Sequence, residues 1–508
     1  MCLVETNKTV LYTVFFIIKK GGYMTNKFLE AMDEVENITL TENGAVTNRS
    51  TKNACLDLFA IGSSARSLRR YDIEKLILSA YNENPDKCMK ILFHIRDIRG
   101  GSGEREFFKI AMDILLQYNK TKSIKKNLKH IPVFGRWDDL YIFSYTKLWD
   151  KVVEMFKSQI ENDLKDMEAG NPVSLLAKWL KSENASSSET IRLAKNTYKS
   201  LGYTAKEYRK TLAKLRKYLK VAEVYISKKQ YAELDYSKIS SRALYKYRKA
   251  FNNNDEKRYN EFLDKANNGE VKINTDNIFP HELVREYYKG SGLNMATETT
   301  WKNLPNYAGN NNNNAICVCD VSGSMECMGG IPMNVSIAMG IYFAERNVGV
   351  FKDRFITFST NPEIIKLEGE NLYEKVRFLK RANWDMTTNI QAVFDLILNM
   401  GLENNVPQKD MPKVLYIISD MEFDSAEDDK TNFEKIKEKY INSGYEMPTL
   451  VFWNVNAKQV QFPTVMNDKA ILVSGFSPMV FQTVVEGLSP VEYMNSIVES
   501  ERYKDIKS

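Results

Sequence analysis

From residue 70 to about residue 300, apolar side chains recur at spacings of three and four. Ile73, Leu76, Ile77 and Ala80 form one set, Met89, Leu92, Phe93 and Ile95 a second, and Phe107, Phe108, Ala111, Ile114 and Leu115 a third. That period puts each set on one face of a helix. Arg99-Gly100-Gly101-Ser102-Gly103-Glu104 separates two of the helices. It lacks the Gly-Lys-Ser/Thr ending of a nucleotide loop and reads as a helix-to-helix turn. Successive helices of this size stack as a solenoid, here with a degenerate repeat. Beyond residue 314 the pattern changes to short unbroken apolar runs at 315–320, 354–359, 413–419, 449–454 and 470–474. Such runs suit strands buried on both faces of a parallel sheet. Helical patterns at 332–346, 371–380, 388–400, 431–443, 478–487 and 490–501 alternate with them. Alternation of this kind implies right-handed crossovers and a doubly wound sheet. The predicted fold class is therefore α + α/β: an N-terminal helical-repeat (HEAT-like) domain over 36–305, an Asn-rich linker at 306–314, and a doubly wound, mostly parallel, Rossmann-like domain over 315–508.

With 508 residues, two or three domains are expected. The apolar run Thr9–Ile18 is too short to span a bilayer, and Glu5 before it and Lys19-Lys20 after it do not make a cleavable signal. Met24 is a candidate second start, so residues 1–35 read as a poorly ordered extension, with a membrane anchor over 1–23 as the lesser alternative. The six Cys show no paired spacing, and Cys317 and Cys319 alternate along a buried strand as small core residues. This fits a reducing, cytoplasmic setting, or a virion or host cytoplasm for a viral chain. Three widely separated His give no Ser-His-Asp order and no His-metal motif.

Candidate chemistry sits where the first strand ends. Ala315–Cys319 runs into Asp320-Val321-Ser322-Gly323-Ser324-Met325. One carboxylate and two hydroxyls, two residues apart, can face one hard cation at the carboxyl edge of the sheet. The competing reading is that the hydroxyls cap the next helix. Asp320, Ser322 and Ser324 resemble the Asp-x-Ser-x-Ser of the metal-ion-dependent adhesion site of von Willebrand factor A domains. Thr388, followed by Asn389, matches that family's distant threonine, with Thr387 as rival, and Asp420 at the end of Lys413–Asp420 matches its distant aspartate. The resemblance implies magnesium, or another divalent cation, held by Asp320, Ser322, Ser324, Thr388 and Asp420, with a carboxylate from a partner completing the shell. A phosphoryl-accepting aspartate would want a second Asp where Ser322 stands, and no Gly-x-Ser-x-Gly elbow is present. The chain therefore reads as a non-enzymatic binding protein, with magnesium-dependent phosphoryl transfer as the minor alternative.

Residues 201–250 carry 14 Lys or Arg against 4 acids, although the whole chain is only +6. Lys206, Lys210, Lys214 and Lys217 share one helix face, flanked by Arg209. Eight Tyr are interleaved, from Tyr203 to Tyr247. Basic side chains hold phosphate and Tyr rings stack on unpaired bases, so Lys206, Arg209, Lys210, Lys214 and Lys217 are candidate nucleic-acid contacts. A solvated helix face with its Tyr rings in the core is the alternative. Leu40–Val46, Arg96–Gly101, Tyr208-Arg209-Lys210 and Ser419–Asp424 resemble the family known as domain of unknown function 2828, found in plants, phages and giant viruses. The resemblance covers roughly residues 35–500. Its domain order is similar to that of the TROVE proteins, which include the Ro autoantigen and bind small structured RNAs. That likeness implies a small structured or single-stranded RNA partner, or a protein–protein scaffold without RNA. It implies no membrane and leaves oligomeric state open.

Overall fold

The computed structural model describes residues 32, 36–308, 314–358, 360–381, 387–425 and 430–508. Most of the expected N-terminal extension, the Asn run of the linker and Trp384–Met386 lie outside the described residues. The chain divides into two units, Met1–Thr39 and Leu40–Ser508. The second contains both the helical and the α/β elements.

Its helical half opens with α1 (Ala54–Ile61), α2 (Arg70–Glu83), α3 (Pro85–Arg96) and α4 (Glu106–Gln117), which pack on one another in sequence order. The Asn53 side chain caps α1 by accepting from the Leu56 amide, and Asn84 caps α3 through the Lys87 amide, with Pro85 in the first turn. Further on come α5 (Trp149–Glu168), α6 (Ser188–Ser200) and α7 (Ala205–Tyr218), the last opened by a Thr204/Glu207 capping box. Helix α8 (Ser241–Asn267) is broken at Asp255, and α9 (Pro280–Tyr288) and α10 (Met295–Lys302) lead to the sheet. Among the described residues the α-helices of this half run from 4 to 27 residues.

The sheet has six strands: β1 (Ala315–Cys319), β2 (Arg354–Thr357), β3 (Ile364–Lys366), β4 (Val414–Ser419), β5 (Thr449–Asn454) and β6 (Ala470–Ser474). Their spatial order is β3-β2-β1-β4-β5-β6, parallel throughout except for the antiparallel edge strand β3. Every residue of β1, β4 and β6 is buried, so both faces of the sheet are covered. The chain leaves β1 first toward β2 and later returns to β4 on its other side. The carboxyl ends of β1 and β4 therefore flank a topological switch point, where such sheets bind ligands. The intervening helices are α11 (Cys327–Arg346), α12 (Leu372–Arg381), α13 (Ile390–Glu403) and α14 (Asn432–Ser443), and α15 (Pro490–Val498) follows β6. Residues 323–346 are long and apolar enough to cross a bilayer, but 72% of their apolar 18-residue window is buried, and α11 packs between β1 and α9. Gly340 allows this approach, since a Cβ there would stand 2.5 Å from the Cys319 sulfur.

One continuous core runs from Ala45 to Ile506 through both halves. A second, smaller core lies over 222–296 around Tyr236, Phe251 and Tyr259. Contacts near residues 48 and 502 link the two halves. Asn48 and Phe462 exchange backbone hydrogen bonds of 3.0 and 2.8 Å. At the other end Arg502 Nη2 donates to Asp97 Oδ1 at 2.8 Å, and Tyr503 reaches both Asp97 and His94.

Several elements differ from the sequence reading. Helix α1 was not foreseen, because seven of its eight residues are buried and no polar face marks the period. Strand β3 was missed because it is three residues long and no residue of it is buried. The expected strand 354–359 stops at Thr357. The expected helix 478–487 is only Val480–Thr483, ended by the extended backbone of Val484, and 490–501 ends at Val498.

Candidate metal centre

The sheet edge fixes Asp320 and Asp420 first. Cys319 pairs with Ile418 in register, so the residues just beyond β1 and β4 emerge side by side. The Asp320 amide still donates to the Ile418 carbonyl at 3.1 Å. Asp320 Oδ1 accepts from the Ser322 amide at 2.9 Å, and Asp320 Oδ2 accepts from the Ser419 hydroxyl at 2.5 Å. The Ser322 and Ser324 hydroxyls lie 3.0 Å apart. Asp420 Oδ1 accepts from the Glu422 amide at 3.2 Å. Its other oxygen, Oδ2, is buried and has no hydrogen-bond partner. Asp320, Ser322 and Asp420 are all buried, with Ser324 half-buried at the rim.

Electrostatics make this pair demanding. Burial and the neighbouring Asp420 push the Asp320 carboxyl well above the usual range, and burial raises Asp420 as well. Glu422, buried two residues on, is raised by burial and then by Asp420, and its Oε1 also lacks a partner. Two adjacent buried carboxylates, one with an oxygen that accepts no hydrogen bond, favour a cation beside them. The donor set fits a hard divalent ion: carboxylate oxygens with serine hydroxyls beside them, and no sulfur or imidazole. Among the described residues there is no group of three or more His, Cys, Asp and Glu that would hold a metal by such side chains alone. A centre here therefore depends on the hydroxyls.

Thr388 lies at the margin. Its hydroxyl is within 2.8 Å of the Glu422 carbonyl and 3.0 Å of Asp424 Oδ1, and it accepts from Asn43 Nδ2 at 2.9 Å. Those bonds tie it to the β4 exit loop, while Asp320, Ser322, Ser324 and Asp420 gather at the switch point. Thr387 is turned toward Thr360, with hydroxyls 3.1 Å apart.

Sequence reasoning passed over four contributors. Ser419 orients Asp320, and its place one residue before Asp420 was the only signal. Glu422 joins the acid cluster. Lys458, on the loop after β5, places its ammonium 3.6 Å from Asp420 Oδ2 and 2.7 Å from Glu42. The fourth is a strap, Thr41-Glu42-Asn43-Gly44, folded as a turn in which the Gly44 amide reaches the Thr41 carbonyl at 3.1 Å. Gly44 has φ of +84°, which favours glycine. The strap lies along the β4 exit loop: Thr41 Oγ1 donates to the Phe423 carbonyl at 2.8 Å, the Glu42 amide to Glu422 Oε2 at 2.7 Å, and Asn43 Nδ2 to the Glu422 carbonyl at 2.7 Å.

The other candidate residues stand apart from this centre. Lys206, Arg209, Lys210, Lys214 and Lys217 are all exposed on α7. Lys214, Lys217, Lys220 and Tyr218 border an open groove with Met167 and Pro172. Of the eight interleaved tyrosines only Tyr218 is exposed; Tyr208 and Tyr236 are buried and the rest half-buried. Arg216 is taken up structurally, donating to the Ala177 and Leu180 carbonyls at 2.8 Å.

Comparison with known proteins gives four findings. A family described as Domain of unknown function (DUF7788) matches residues 314–507. An uncharacterized protein of Acanthamoeba polyphaga mimivirus is 30% identical over 506 residues, covering 91% of this chain and 87% of the relative. The crystal structure of the Ro (RSR) protein of Deinococcus radiodurans aligns over 85% of this chain and 99% of its own, at 14% identity and a TM-score of 0.35. The family described as Domain of unknown function (DUF2828) matches residues 41–141 and 122–316, more than half of the sequence, and the chain belongs to that family.

Proposed function

We propose that this protein is a non-enzymatic, divalent-cation-dependent binding protein whose α/β half acts as a von Willebrand A-type adhesion module. The observation that carries this reading is the buried Asp420 Oδ2, which accepts no hydrogen bond and has the Lys458 ammonium 3.6 Å away, beside the Asp320 carboxyl at the switch point. Asp320, Asp420, Ser322 and Ser324 would hold the ion, with Thr388 reached through water or through a shift of its hydroxyl. Bound magnesium supplies a position at which a partner's Glu or Asp carboxylate can replace water. Ser419 keeps Asp320 oriented, and the half-buried Ser324 and exposed Gly323 leave an approach from solvent.

The test is thermal unfolding of the full chain in EDTA and in magnesium. At a magnesium concentration about 100 times the dissociation constant, stabilisation of about 2.7 kcal/mol is expected. Asp320→Ala should abolish it. An equal magnesium response in wild type and variant would overturn the assignment.

A second reading concerns a different surface. The exposed basic face of α7 favours a polyanion such as RNA, bound by charge through Lys206, Arg209, Lys210, Lys214 and Lys217. The inward-turned tyrosines argue for phosphate contact rather than base stacking. Both readings are compatible, since the surfaces are separate.

A further inference from the structure

We propose that Lys458 is a built-in competitor for the cation position of the Asp320–Asp420 centre. The inference rests on the divalent-ion reading and concerns how that centre is held without a metal.

The Lys458 ammonium stands between two carboxylates from distant parts of the chain, 2.7 Å from Glu42 Oε2 and 3.6 Å from Asp420 Oδ2. Asp420 Oδ2 is the oxygen left without a hydrogen bond, and Asp420 is only 1% exposed. An exposed ion pair between Lys458 and Glu42 alone would do little. Lys458, however, is 21% exposed and reaches a buried acid cluster. An ammonium is a compact point charge on a flexible stem, so it can enter and leave such a position. The other side of the contact is fixed. Glu42 sits on the strap whose amide is held by Glu422 and whose Asn43 reaches Thr388.

Lys458 thus neutralises the cluster while bridging it to the strap. A divalent ion at Asp420 Oδ2 would be repelled by an ammonium at the same oxygen, so its binding favours withdrawal of Lys458. Ion binding then removes one tie between Asp420 and the strap.

Isothermal titration of magnesium chloride into the full-length protein tests this, with Lys458→Met, Lys458→Gln and Lys458→Arg variants checked for wild-type circular dichroism. The neutral variants are expected to bind magnesium at least about tenfold more tightly than wild type, and Lys458→Arg to bind as wild type does. Wild type and both neutral variants binding equally would overturn it and leave the metal centre standing. Binding by none of them would remove the metal centre, and this proposal with it.

Discussion

At the residue scale, two contacts carry most of the consequence. Asp320 is held on both oxygens, by Ser419 and by the Ser322 amide, so it is oriented before any ligand arrives. Asp420 accepts a hydrogen bond on Oδ1 only, and its Oδ2 is paired with the Lys458 ammonium at 3.6 Å. The two acids of the centre therefore differ in role, one positioned and one left to pair. Gly340 is equally exacting for a different reason: helix α11 lies so close to β1 that an added methyl meets Cys319 at 2.5 Å. Gly340→Ala is expected to lower stability by about 1–3 kcal/mol, measured by chemical denaturation, because overpacking must be relieved by moving the helix. Unchanged stability would mean that the helix shifts freely, and that the edge carrying Asp320 is less rigid than described.

At the scale of elements, the exposed side of α7 concentrates five cations while its Tyr208, Leu212 and Leu215 face the core. Reversing Lys210, Lys214 and Lys217 to Glu should weaken binding of a structured RNA and flatten its salt dependence, with stability little changed, since all three are exposed. RNA affinity indifferent to the triple reversal would discard this surface. What was legible in the sequence follows from the same physics. β1 and β4 announced themselves as apolar runs ending in Asp320 and Asp420, because strands buried on both faces must be apolar and the first polar residue marks the edge. Asp320, Ser322, Ser324 and Asp420 were legible with them. Helix α1 was hidden by being buried almost all round, and β3 by being a short edge strand. Lys458 and the strap could not be read, because the contacts between Glu42 and both Glu422 and Lys458 span 380 and 416 residues and follow no local period.

At the scale of the molecule, the two halves share one hydrophobic core, Asn48 bonds to Phe462 of the α/β half, and Arg502 and Tyr503 bond to Asp97 of the helical half. Asp97, fully buried, receives Arg502, the Tyr503 hydroxyl and the Arg99 amide. Asp97→Ala is expected to cost about 2–3 kcal/mol, since several charge-assisted hydrogen bonds are lost together. Because the core is shared, that loss should appear as a lower midpoint of one cooperative transition. Two separated transitions, with only the helical one shifted, would contradict a common core. The same closure lets residues 41–44 of the chain's beginning lie beside a centre built from residues 320–424, so the account stands or falls on that centre. Its most direct test is a crystal of the full chain soaked in manganese chloride and measured for anomalous scattering. The account expects a peak shared by Asp320, Asp420 and the Ser322 and Ser324 hydroxyls; a saturating soak that leaves this position empty, or places manganese elsewhere only, would contradict it.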